Sequence, residues 1–231
     1  MVLAGTDEMS GVRVLTYQKI GLAPKNSPLK NEWTSLRALT RTLNKIKKRG
    51  LTTVSPAQIL SGDAPENSVL LLFLDGYRSF YQTVYPLLKE RNLAACVCLP
   101  TACVGTYNSW QDPHQEFWQD LLTWDEIEIL SKDPLISFGA QTLNREDLTL
   151  LPNEQARYNA QESIFRLTKF LPNPPQLFAA FPSRKKLKNA AEILPGFDGL
   201  IITPNGTANK TPHTVSVVRG NSWRAKWNLI F

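Results

Sequence analysis

Side chains able to do chemistry are sparse in this chain, and most of them fall where apolar runs end. In parallel α/β barrels the loops that follow the strands carry the chemistry. That rule selects Gln18, Asp75-Gly76, Gln141-Thr142, Pro182-Ser183-Arg184 and Pro204-Asn205. The set offers one carboxylate, several amides, hydroxyls and a guanidinium. The two histidines stand apart from it: His114 lies in the loop stretch WQDPHQEFW and His213 in a late loop. A lone loop histidine is a surface residue more often than a ligand. Cys96, Cys98 and Cys103 fall together in AACVCLPTACVG. Cys96 and Cys98 would share one face of a strand, too strained a pair for an ordinary disulfide. An all-cysteine zinc site needs four ligands, so these three are expected to be small buried hydrophobes.

The elements that must position these residues alternate between short apolar runs and helical patterns, the mark of a parallel α/β architecture. Val12 to Tyr17 reads as a strand. Leu36 to Lys48 places Leu36, Leu39, Leu43 and Ile46 at helical spacing, and Gly50 follows as a stop. Ser55-Pro56 starts a short helix with serine as N-cap and proline at the first position. Val69 to Leu74 is the strongest buried strand, followed by a helix over Ser79 to Arg91 and a strand over Ala95 to Leu99. Thr123 and Glu126 form a capping box for a helix ending near Ser131. Leu135 to Gly139 reads as a strand and Asn153 to Phe170 as a long helix. Phe178 to Phe181 and Leu200 to Thr203 supply two further strands.

A chain of 231 residues with 42% apolar content suits one large domain. No apolar run approaches the ~18 residues needed to cross a bilayer. The opening MVLAGTDEMSG lacks the basic and apolar regions of a signal peptide, so the default expectation is a cytoplasmic location. The net charge of +6 gathers at Lys45-Ile46-Lys47-Lys48-Arg49 and Arg184-Lys185-Lys186-Leu187-Lys188. Without interleaved aromatics these clusters read as solvated helix faces, and no nucleic-acid partner is expected.

The loop positions carry a resemblance. VLLLFLDGYRSFYQTVYPLLKERNLAACVCLPTACVG, LTWDEIEIL, ISFGAQTLNREDLTLLP, FAAFPSR and the opening VLTYQKIG resemble, in order, the polysaccharide deacetylases (the NodB-homology domain, carbohydrate esterase family four). The closest likeness is to the branch acting on poly-N-acetylglucosamine. The resemblance implies a distorted (β/α) barrel, with residues 1–11 as an N-terminal extension and 12–231 as a single domain. It also implies extracytoplasmic relatives and a metal-dependent chemistry. In the family, one aspartate and two histidines hold a divalent metal, a neighbouring aspartate is the base and a histidine is the acid.

Mapped onto this chain, that machinery is mostly replaced. The family's Thr-Phe-Asp-Asp-Gly is here Leu72-Phe73-Leu74-Asp75-Gly76, so Leu74 stands at the base position and Asp75 at a ligand position. Ser-His-Thr-x-x-His is here Ala140-Gln141-Thr142-Leu143-Asn144-Arg145, with Gln141 and Arg145 in place of both histidine ligands. The acid position in Thr16-Tyr17-Gln18 is Gln18. A catalytic zinc normally needs three protein ligands, and here one strong one remains. Two readings stand for Arg145: it supplies a cation where the metal stood and pairs with Asp75, or both residues are simply solvated.

The expected function is a deacetylase-like protein without catalysis or bound metal. Its partner would be an acetylated polysaccharide or oligosaccharide, or a protein, met across a cleft of Gly76, Tyr77, Thr142, Pro182, Ser183 and Arg184. Trp110 and Trp124 are groove candidates, although Trp124 beside a helix start suits the core equally. The alternative is an active N- or O-deacetylase, a hydrolase of carbon–nitrogen bonds in the first case. It would use zinc or another divalent metal in a rebuilt site recruiting Asp75, Asp112 or His213.

Overall fold

A computed structural model describes residues 12–173, 175, 177–179, 193–195, 197, 199–203, 214–219 and 222–228. Residues 1–11, Pro182, Ser183, Arg184, Pro204, Asn205, His213 and the second basic cluster lie outside them. The first basic cluster is on them, and Lys45, Lys47, Lys48 and Arg49 are exposed.

The central sheet is built on β5 (Ser68–Phe73), whose six residues are all buried. Consecutive side chains of a strand point to opposite faces, so a run with no polar alternation must be covered on both. Val69, Leu71 and Phe73 pack with Leu39, Leu43 and Ile46 of α1 (Leu36–Lys48). Leu70, Leu72 and the following Leu74 pack with Val14, Cys96, Cys98, Leu177 and Ile59. Ile59 belongs to α2 (Pro56–Ser61), which Ser55 and Gln58 close with a capping box.

The parallel order is β1 (Arg13–Tyr17), β5, β6 (Ala95–Leu99), β7 (Ile136–Ala140), β8 (Leu177–Ala179), β9 (Gly199–Thr203), with β4 (Thr52–Thr53) also on β5. Antiparallel β10 (Thr214–Arg219) and β11 (Ser222–Asn228) complete a nine-stranded sheet among the described residues. A small parallel pair, β2 (Lys19–Ile20) and β3 (Trp33–Thr34), follows β1. The distorted-barrel expectation holds as a curled, mainly parallel sheet with helices packed on it.

Helix α1 spans the residues the apolar spacing predicts, with Ser35 accepting from the Ala38 N–H as N-cap. Helix α4 (Trp124–Ser131) begins at the predicted Thr123–Glu126 box, and α5 (Asn153–Thr168) is the long helix. The predicted helix over Ser79 to Arg91 instead opens as a π-helical turn, Phe80–Val84, before α3 (Tyr85–Arg91). Pro86 explains the correction: it has no N–H to give the carbonyl four residues back, and its ring crowds that carbonyl. Of the strand predicted over Phe178 to Phe181, residues 180 and 181 fall outside the described set. The pairs β2–β3 and β10–β11 were not foreseen. All three cysteines are free and buried, as their composition implied.

Candidate functional site

Strand register brings the predicted loop residues together. Tyr17 pairs with Phe73, Phe73 with Val97 and Val97 with Phe138, so β1, β5 and β7 release their chains at one end of the sheet. Gln18, Asp75 and Gln141 emerge there. The turn after β5 is tight: Leu74 still bonds to β1 through its N–H and the Tyr17 carbonyl, 2.8 Å apart. Asp75 and Gly76 then both turn through positive φ, +67° and +61°. A Cβ on Gly76 would stand 2.5 Å from Leu99 Cδ2, so glycine is required by space as well as by conformation.

Asp75 is fully buried and its carboxylate is surrounded by N–H donors. Gln18 Nε2 donates to Oδ2 at 3.0 Å, while Gln141 Nε2 and Arg145 Nε donate to Oδ1 at 2.8 and 3.0 Å. Gln141 also accepts the Asp75 backbone N–H at 3.1 Å, giving a two-point clasp between the loops after β5 and β7. Of the two readings left open by the sequence, the Arg145–Asp75 pair is the one present. Arg145 is itself at φ +66°, and its guanidinium lies 5.1 Å from the centre of the Trp110 ring. Burial alone would lower the Arg145 pKa. The charge of Asp75 outweighs it, with help from Tyr77 and Glu32, and the guanidinium is held above its ordinary range.

A second charge cluster, invisible in the sequence, adjoins the first. Lys19 is 1% exposed, and its Nζ meets Glu116 at 2.6 Å, Gln111 at 2.7 Å and Glu32 at 3.3 Å. The Trp33 and Tyr77 rings flank it at 5.6 and 5.9 Å. Glu116 also accepts from Ser27 Oγ and, at 3.1 Å to each oxygen, from Trp33 Nε1. Burial would push the Glu116 carboxyl up. The bonds from Lys19, Ser27 and Trp33 prevail and hold it below the usual glutamate range. Glu32 links the two clusters, lying 3.6 Å from Arg145 Nη2. Charges thus alternate from Asp75 through Arg145, Glu32 and Lys19 to Glu116. Burial pushes the Tyr77 hydroxyl well above its ordinary pKa, and the neighbouring Asp75 adds to the shift.

Other predicted positions divide. Leu74 is core, 4% exposed, and continues the row of Leu70 and Leu72 just past β5. Tyr77 and Thr142 are buried, and the Thr142 hydroxyl has no hydrogen-bond partner among the described residues. Trp124 stacks on Phe170 at 4.0 Å, away from the Asp75 contacts. Asp112 is exposed and accepts the His114 N–H rather than joining Asp75, and His114 is exposed. Glu116, from the stretch that reads as a loop around His114, is by contrast a buried partner of Lys19. Its only local signal is an acid among aromatics.

The residues present do not fit a divalent cation. An ion approaching Asp75 meets three N–H donors, one from a fixed cation, aimed at the oxygens it would need. Among the described residues no group of three or more histidine, cysteine, aspartate or glutamate side chains is placed to hold a metal.

Comparison with known proteins speaks for the family and the fold. The family model for polysaccharide deacetylase matches residues 61–195. A poly-beta-1,6-N-acetyl-D-glucosamine N-deacetylase of Escherichia coli is 29% identical over 111 residues, 43% of this chain and 16% of that protein. The chain thus spans a small part of the curated relative it matches. IcaB from Ammonifex degensii superposes with a TM-score of 0.65 at 22% identity, covering 80% of this chain and 79% of that one. The deacetylase PplD of Streptococcus pyogenes, solved with acetate, gives 0.64 at 20% identity, covering 79% and 78%. At such identities these structures speak for the fold.

Proposed function

We propose, from the premise that the chain belongs to the polysaccharide deacetylase family, that it is a glycan-binding member without the family's metal-dependent catalysis. One observation carries the reading: both oxygens of Asp75 are engaged by Gln18, Gln141 and Arg145. A carboxylate so engaged is not a vacant ligand. Each of those three donors stands at a position where the family resemblance implies an imidazole.

The replacements are mutually consistent. A family site without its metal would leave a buried carboxylate uncompensated, which costs several kcal/mol. Arg145 supplies the compensating charge and the two glutamines supply neutral donors. Leu74, at the base position, cannot take a proton and packs in the core. With the acid, base and metal positions all altered, the groups that lower the barrier are lost, each worth orders of magnitude in rate. What remains at this end of the sheet is a mouth with aromatic side chains beside its charges, Trp33 against Lys19 and Trp110 against Arg145. A partner protein instead of a glycan is the alternative occupant of that mouth.

The test is a paired one on purified protein. Metal content after equilibration with zinc should be well below one ion per chain, and acetate release from a β-1,6-linked N-acetylglucosamine tetramer should match the buffer blank. Stoichiometric metal with acetate release would overturn the reading. Calorimetric titration with the same tetramer should show binding.

A further inference from the structure

We infer that the recess between the Lys19 cluster and the π-helical turn holds the N-acetyl arm of one sugar residue of the bound glycan. This rests on the glycan-binding reading and assigns it a place displaced from Asp75.

The recess is lined by Lys19, Ile20, Trp33, Tyr77, Arg78, Ser79, Gln82, Gln119 and Asp120, and measures about 130 Å³. Size decides what enters. At roughly 30 Å³ per water the space equals about four waters. It lies below the ~300 Å³ at which pockets begin to enclose whole small ligands. A complete sugar ring does not fit, but a substituent of a few heavy atoms does.

Chemistry narrows the choice further. Ile20, Trp33 and Tyr77 form an apolar part, and Arg78, Ser79, Gln82, Gln119 and Asp120 a polar part. An acetamido group has the same division: a methyl for the apolar side, and a carbonyl and an N–H for the polar side. Gln119 gives its Nε2 to the Phe117 and Trp118 carbonyls, so its side-chain oxygen is left to accept. Arg78 and exposed Gln82 supply donors for a carbonyl. Lys19 does not present a bare cation, because Glu116 and Gln111 hold its ammonium at 2.6 and 2.7 Å. Charge does not separate the two forms, since Lys19 is already paired and Asp120 stands with Arg78 in the lining, but a free amine has no methyl for the apolar side. The acetylated sugar is therefore the preferred ligand.

The backbone makes the recess a permanent feature. Arg78 N–H bonds the Asp120 carbonyl at 2.9 Å and Leu122 N–H the Gly76 carbonyl at 2.8 Å, fixing the segment carrying Gln119 against the turn after β5. The sugar ring would lie outside, beside the stacked rings of Trp118, next to Gln119, and Tyr107, bridged to Asp120; the two rings are 4.4 Å apart and partly exposed.

The experiment titrates the full chain with the β-1,6-linked N-acetylglucosamine tetramer and with the same tetramer fully de-N-acetylated. Gln82→Trp fills the recess from an exposed position, and Gln161→Trp on the exposed side of α5 controls for the added ring; circular dichroism checks both folds. The acetylated tetramer should bind at least ~10-fold more tightly than the amine form, and Gln82→Trp should weaken it by a similar factor. Gln119→Ala should weaken it in the same direction, and Gln161→Trp should not. Saturation-transfer NMR should show the acetamido methyl as the most strongly saturated group. Equal or better binding of the amine form, or unchanged binding by Gln82→Trp and Gln119→Ala, overturns the recess while leaving glycan binding intact. No binding of either tetramer by the parent chain overturns both.

Discussion

At the scale of single residues, Arg145 concentrates the argument. A residue with a side chain costs about 1–3 kcal/mol at positive φ. Arg145 occupies such a conformation at +66°, and so does its partner Asp75 at +67°. The ion pair between them, with the amides of Gln18 and Gln141, offsets that strain. Arg145→Met removes the charge but keeps an unbranched side chain, leaving Asp75 buried with amide donors alone. The expected loss is about 3–5 kcal/mol in urea unfolding, and Asp75→Asn in the same background should restore part of it. A loss under about 1 kcal/mol would mean that water already solvates Asp75. This pair was legible in the sequence because family motifs fix which loops carry it. The Lys19–Glu116 pair was not: 97 residues separate the partners, and nothing in either local sequence says that a charge is buried.

Among elements, what the sequence conveyed best were units whose signal is local. Helix α1, the caps at Ser55 and Thr123, and the apolar run of β5 each declare themselves within a few residues. The pairs β2–β3 and β10–β11 depend on distant strands for their partners, and the π-helical turn depends on the backbone's response to Pro86. Two glycines measure how much the turns matter. Gly50, after α1, has φ +64° and no atom within 4 Å of an added Cβ, so Gly50→Ala should cost about 1 kcal/mol. Gly76 shares the conformation but faces buried Leu99, so Gly76→Ala should cost clearly more, about 2–4 kcal/mol. Equal melting points for the two variants would deny Gly76 its packing role.

The loops are joined by charge as well as by turns, and pH reads that joint. Glu116 titrates below its ordinary value of 4.5 in the folded chain. A depressed carboxyl contributes stability that is complete above its unfolded pKa and lost as pH falls through the folded one. Asp133 is shifted in the same direction, so the signature of Glu116 lies in a difference. The urea midpoint of the parent should hold above about pH 5 and fall below it. In Glu116→Gln the midpoint should start lower and fall less. Parallel pH profiles for the two proteins would show that Lys19 does not depend on the Glu116 charge.

For the whole molecule, the question is whether the scaffold changed along with the site. The curled, mainly parallel sheet is that of the family fold, with TM-scores of 0.64 and 0.65 to two solved structures. The differences argued above are side-chain replacements on that scaffold. If the scaffold is conserved, restoring the family's residue types should restore affinity for metal without other changes. The variant Gln18→His, Leu74→Asp, Gln141→His, Arg145→His removes the three N–H donors now on Asp75 and returns two imidazoles to the ligand positions. Zinc should then bind at about one ion per chain in calorimetric titration, with the melting temperature rising as zinc is added, because a ligand that binds only the folded chain stabilises it. Without zinc the same variant should be less stable than the parent. Leu74→Asp puts a carboxylate into an apolar row, and Arg145→His removes the cation that now balances Asp75. A folded variant that takes up no zinc would show that the loops have moved out of the ligand geometry, and the replacement of side chains alone would no longer account for the site.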